Sequence, residues 1–196
     1  MITDSPIRLA QPADEPELLH LFKMMHAEGG MRPLDIDSVR DTFARAFDRK
    51  GGILSVIGAP GHIRAMQYLL ITRFFYTRES HIEDLWNWVH PDHRHSDYSK
   101  LLIAHAKKCS DEISRDAGIK VPLLMGVMTN KRMAAKVRLY RRFFGIPIGA
   151  FFVHNPDWVA KEEPTEEDFW RLPSMAKWLR RSSTKGDRRR AANGAA

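Results

Sequence analysis

A single cysteine, Cys109, stands in 196 residues, which excludes an internal disulfide framework. No apolar run reaches the ~20 residues a membrane span requires. The start, MITDSPIRLA, lacks the basic-then-apolar layout of a secretory signal, so the expected location is cytoplasmic. There is no Gly-x-Ser-x-Gly elbow and no Gly-x-x-x-x-Gly-Lys-Ser/Thr phosphate loop. His90, His93 and His95 are spaced H-x-x-H-x-H, but no cysteine pair or other compact cluster completes a zinc set. They are expected to be structural or surface groups, and no metal is expected.

Net positive charge is also small outside one segment. Residues 180–196 carry six basic residues and one acidic, leaving 25 basic and 23 acidic in the rest. The net charge of +7 therefore describes a tail, not a basic fold. That tail has no apolar periodicity and is expected to be disordered. It is a solvated appendage first and a nucleic-acid contact second. Length and the 43% apolar, 28% charged composition suit one globular domain with appendages.

What is present reads as alternating strands and helices. Residues 7–14 form a strand running to a helix start, and Leu18, Leu19, Phe22 and Met25 share a helical face. Asp35 or Asp37 caps a second helix with Val39, Phe43 and Phe47 inside. Residues 53–58 and 63–76 read as a hairpin, 82–89 as the next strand, and roughly 98–116 as a helix with Leu102, Ala106, Cys109 and Ile113 on one face. Then follow a buried-looking strand at 123–129, a helix from near Asn130, and a strand at 148–154. The order β-α-α-β-β-β-α-β-α-β predicts a mixed α/β domain with one layered sheet. In 157–179, Thr165 and Asp168 have the spacing of a helix cap, and Trp170, Met175 and Trp178 are apolar enough to dock.

The stretch VHPDHRHSDYSKLLIAHA, 89–106, is a strand end, a polar turn and a helix start. A helix N-terminus offers unpaired N–H groups and partial positive charge, which suit a phosphate. The turn has no glycine, and Ser96 and Asp97 are both good N-cap residues, so a plainly capped helix fits equally well on local sequence.

Together with TNKRMAAKVRLYRRFFG, 129–145, this stretch resembles the GNAT superfamily of acyl-CoA-dependent N-acetyltransferases over residues 7–155. Arg94 matches the first position of the family's Arg/Gln-x-x-Gly-x-Gly/Ala segment, with Asp97 and Ser99 where the glycines belong. Asn130 after a strand, Tyr140 ten residues on, and Phe144-Gly145 resemble its second cofactor segment. The resemblance implies a mixed, mostly antiparallel sheet of six to seven strands flanked by about four helices. It implies a domain over 1–156, with a helical extension at 157–179 and the tail at 180–196.

The resemblance further implies acetyl-CoA as acyl donor. Its pyrophosphate would lie on Arg94, His95, Ser96, Asp97, Tyr98 and Ser99, its pantetheine on the backbone near Trp88 and Val89, and Asn130 would steady it. Glu83 occupies a position where some members carry a general base, and Tyr140 matches the tyrosine that protonates the departing thiolate. Strand alternation turns Asp84 to the face opposite Glu83, and puts Trp86 and Trp88 on one face with Asn87 on the other. The implied reaction is direct attack of an amine on the thioester in a ternary complex. The alternative is a fold of this family that has lost catalysis and serves as an acyl-CoA sensor or a partner- or nucleic-acid-binding module. The acceptor, a small molecule or peptide amine, would be shaped by the two first helices and their AEGGMRPLD loop. A second copy of the chain, or 157–179, would cover the sheet edge. No membrane contact is expected.

Overall fold

β1 (Ile7–Leu9) leads through a 3-10 turn at Pro12–Asp14 into α1 (Glu15–Gly29) and then α2 (Ile36–Phe47). β2 (Gly52–Ile57), β3 (Ala65–Arg73) and β4 (Ser80–Val89) follow, then α3 (Tyr98–Ala117), β5 (Leu123–Met125) and α4 (Met133–Phe144). This computed structural model describes residues 7–30, 32–127, 132–145 and 147. The chain divides into two units, Met1–Thr129 and Asn130–Ala196, with α4 in the second. The strand expected at 148–154, the extension at 157–179 and the basic tail lie outside the described residues.

Five strands form one sheet in the order β1-β2-β3-β4-β5. The first four pair antiparallel and β5 joins β4 in parallel. The parallel join follows from chain path, because α3 crosses over between β4 and β5. The described residues thus form a mixed, mostly antiparallel five-stranded sheet with four helices, where six to seven strands were expected. β5 is half-buried rather than buried, and β3 ends at Arg73, short of the expected Tyr76. Phe74, Phe75 and Tyr76 instead form an exposed hairpin tip, with Phe74 and Tyr76 stacked at 5.3 Å. β-Favouring residues continue past the point where the chain must turn.

α1 and α2 cover one face of the sheet. Leu18, Leu19, Val39 and Phe43 pack there with Leu54, Val56, Met66, Tyr68 and Trp88. α3 covers the other face through two separate clusters. Ala106 and Cys109 meet Leu69 and Ile82, and Leu102 meets Ile57, Ala65 and Val89. Asp35 is the α2 cap, accepting from the Asp37 and Ser38 N–H groups at 3.0 and 3.3 Å. Before α1, buried Asp14 accepts from Arg8 at 2.7 and 2.8 Å and from the Gln11 N–H at 2.8 Å. The Arg8 guanidinium holds the Asp14 carboxyl below its usual range.

α3 ends where Gly118 takes the left-handed conformation at φ 67°, which its missing Cβ permits. Ser110 and Ser114 then tie Val121 back to the helix, at 2.8 and 2.9 Å. These contacts set the start of β5 beside Ile82, whose N–H donates to the Pro122 carbonyl at 2.8 Å.

Candidate functional site

β4 is the strand that organises the site, and its geometry breaks at one residue. Tyr68 pairs with Trp86, but Leu69 pairs with Asp84, so Leu85 is an extra, exposed residue at a β-bulge. In an unbroken strand Glu83 would face away from Trp86 and Trp88. Across the bulge the phase changes. Glu83 pairs with Leu70, which packs in the α1/α2 cluster together with Trp86 and Trp88. Asp84 pairs with Leu69 and Asn87 with Gln67, so both share the α3 face. Glu83 is half-buried beside its β5 partner Leu124.

β5 pairs with β4 only at Ile82, Glu83 and Asp84, whereas β4 runs on to Val89. On the side away from β3, no described strand flanks β4 beyond Asp84. The His90 N–H donates to the Arg64 carbonyl beside β3 at 2.8 Å. Antiparallel alternation therefore turns the backbone groups of Trp88 toward β3 and those of Asn87 and Val89 to the open side. The Trp88 side chain lies in the core, at 4% exposure. The Val89 carbonyl is taken by Arg94 Nε at 3.2 Å.

The polar turn folds without left-handed residues. Pro91–His93 makes a 3-10 turn, and no residue from 90 to 99 has positive φ. The backbone here does not need the family's glycines for conformation; their remaining use would be close approach. Ser96 Oγ accepts from the Tyr98 N–H at 3.3 Å and donates to the His93 carbonyl at 2.6 Å. Asp97 makes no side-chain cap; its exposed carboxylate turns to Lys100 Nζ at 2.5 Å. His95 is exposed and Ser99 half-buried. The Tyr98 hydroxyl accepts from Arg64 at 3.1 Å. His90 and His93 lie ring to ring at 5.9 Å, and the described residues contain no group of three or more His, Cys, Asp or Glu suited to a metal.

Arg94 is engaged from several sides. Its Nη2 donates to both Glu28 oxygens at 2.5 and 2.6 Å, and its guanidinium lies 5.7 Å from the Trp88 ring centroid. Trp88 Nε1 donates to the same carboxylate at 3.1 Å. No sequence pattern links Glu28 to a residue 66 positions away.

Under α3, Ser55, Gln67 and Asn87 form a row across β2, β3 and β4. Ser55 Oγ meets His105 Nε2 at 2.9 Å, and Gln67 Nε2 donates to Asp84 Oδ1 at 3.3 Å. Gln67 Oε1 and both amide atoms of Asn87 are buried without a protein partner. Burial pushes the His105 imidazole below its usual value, with Lys108 adding to the effect and Glu112 opposing it. Cys109 packs in the core under α3, and burial pushes its thiol up.

In the second unit, α4 begins at Met133 after Arg132, a left-handed residue at φ 56°. Tyr140 lies near its C-terminal end, edge-on to Phe144 at 6.3 Å. Asn130 lies outside the described residues.

No family model and no curated protein matches the sequence. Solved structures do match. A GCN5-related N-acetyltransferase from Ralstonia eutropha JMP134 is 18% identical, with 76% of this chain and 96% of that one covered at a TM-score of 0.55. An aminoglycoside 6'-N-acetyltransferase from Acinetobacter haemolyticus is 16% identical, covering 78% and 98% at 0.54. An acetyltransferase from Trypanosoma brucei is 18% identical, covering 76% and 97% at 0.53. The chain has the GNAT acetyltransferase fold, as the resemblance implied.

Proposed function

We propose that the chain is an N-acetyltransferase using acetyl-CoA. One observation carries the reading: the edge of β4 beyond Asp84, unflanked by any described strand, leads through the turn at 90–97 to the start of a long helix. Backbone N–H and C=O groups on an open strand edge pair with an extended chain bearing amides, as pantetheine does. The unpaired N–H groups of the helix start suit the diphosphate that follows it. The acetyltransferase names of the structural neighbours agree with this reading.

In the proposed reaction the acceptor nitrogen attacks the thioester carbonyl, forming a tetrahedral intermediate. The carbon–sulfur bond then breaks and the thiolate leaves. Glu83 takes the amine proton through water, which fits its half-buried place on the Trp86 face. Tyr140 gives a proton to the thiolate, since a phenol of pKa about 10 stays protonated at neutral pH. Asn130 steadies the coenzyme. Tyr140→Phe should lower turnover on an amine panel by roughly 10²-fold, with acetyl-CoA affinity by calorimetry within about twofold. Equal losses in both would remove the acid role.

A second reading has a specific observation in its favour. Asp97 keeps an outward carboxylate at the turn and Arg94 is engaged with Glu28. Both features weaken a phosphate site and suit a binding module that has lost catalysis. Acetyl-CoA binding with no transfer to any amine would favour this sensor. No binding at millimolar acetyl-CoA would sink the enzyme.

A further inference from the structure

We propose that Glu28 is a positioning residue for the coenzyme turn, acting through Arg94. This inference rests on the acetyl-CoA reading above. Glu28 lies in the last turn of α1, one residue before the helix ends at Gly29. It receives both Arg94 Nη2 contacts, at 2.5 and 2.6 Å, and the Trp88 indole N–H at 3.1 Å. The Arg94 and Glu28 side chains are only 25% and 21% exposed. Such a pair is shorter and stronger than a neutral hydrogen bond. Pulling the guanidinium onto a phosphate would leave a shielded carboxylate without its counter-charge. Arg94 therefore stays with Glu28, and its Nε holds the Val89 carbonyl at 3.2 Å. Cationic side chains other than Arg94 at this turn include Lys100, paired with Asp97, and Arg64, whose guanidinium donates to the Tyr98 hydroxyl at 3.1 Å.

The pair has a second consequence. Beyond Glu28 the chain enters the glycine-containing loop to α2, and His26 Nε2 contacts the Arg32 carbonyl across that loop at 2.8 Å. One carboxylate thus pins the end of α1, the strand end at Val89 and the turn that starts α3.

The test is a double-mutant cycle on the full chain with acetyl-CoA as the calorimetric probe. Glu28→Gln and Arg94→Gln should each weaken binding by roughly tenfold. The double variant should be no weaker than the worse single within about twofold, because the two act as one unit. The dependence of log Kd on log salt should be the same in all four proteins, since no phosphate contact is removed. Three results would overturn the proposal: tighter binding by Glu28→Gln, which would mean Glu28 competes with phosphate for Arg94; a shallower salt slope in Arg94→Gln alone; or losses that add. Urea unfolding of the ligand-free proteins separates the two levels. If wild type binds no acetyl-CoA, the proposed function fails and the coenzyme role of Glu28 fails with it. If it binds and the unfolding effects of the two substitutions add, the Glu28–Arg94 unit alone is wrong.

Discussion

At the scale of single residues, Asp97 decides how well the turn receives an anion. The sequence left two candidates for capping α3. Asp97 takes the N-cap position but makes no side-chain cap and faces Lys100, while the Ser96 hydroxyl, one residue earlier, accepts from the Tyr98 N–H. The outward carboxylate repels a pyrophosphate, and Lys100 offsets that only in part. Asp97→Asn should therefore tighten acetyl-CoA binding by about two- to fivefold at low salt, with the gap closing as salt rises. Stability should hardly change, because an exposed pair contributes about 0.5 kcal/mol or less. Calorimetry across a salt series checks the first claim and urea unfolding the second. Weaker binding by the variant would mean that Asp97 helps the site. The candidates themselves were legible, since Ser and Asp are known cap formers. Where the two side chains turn was not, because the Ser96 hydroxyl is held by the His93 carbonyl and the Asp97 carboxylate by Lys100.

At the scale of elements, the bulge in β4 converts a sequence pattern into a site. Period-two alternation correctly separated Glu83 from Asp84 and grouped Trp86 with Trp88. It could not join those two statements, because the extra residue at Leu85 is a property of pairing with Tyr68 and Leu69. Deleting Leu85 would restore a single phase and force one half of β4 to turn over. Either Glu83 would enter the cluster of Leu69, Ala106 and Cys109, or Trp86 and Trp88 would leave theirs. The deletion should cost more than about 3 kcal/mol in unfolding free energy, or prevent folding. The control, Leu85→Ala, changes an exposed side chain and should cost about 0.5 kcal/mol or less. A deletion protein as stable as the control would remove the bulge from the account. The helices were easier to read, since Asp35 and the Leu102–Ala106–Cys109 face are local signals. The Glu28–Arg94 contact was invisible, because it joins two charged residues of unremarkable context through the fold alone.

At the scale of the whole molecule, neither net charge nor any one motif accounts for the fold. Outside 180–196 the charges nearly balance, so net charge alone gives no reason to expect an anionic coenzyme. The order of strands and helices, with a parallel β5 reached through α3, carries the likeness to acetyltransferases at under 20% identity. That order was legible because hydrophobic period survives when individual residues do not. If the coenzyme binds through backbone groups and one helix start, it binds only the folded chain. Acetyl-CoA should then raise unfolding free energy as RT ln(1 + [L]/Kd), about 2.7 kcal/mol at a hundredfold excess over Kd. Thermal unfolding over a ligand series, compared with the calorimetric Kd, measures it. Asp97→Asn should gain more than wild type at equal ligand, and Glu28→Gln less. A midpoint flat to millimolar acetyl-CoA would leave the fold standing and remove the function proposed for it.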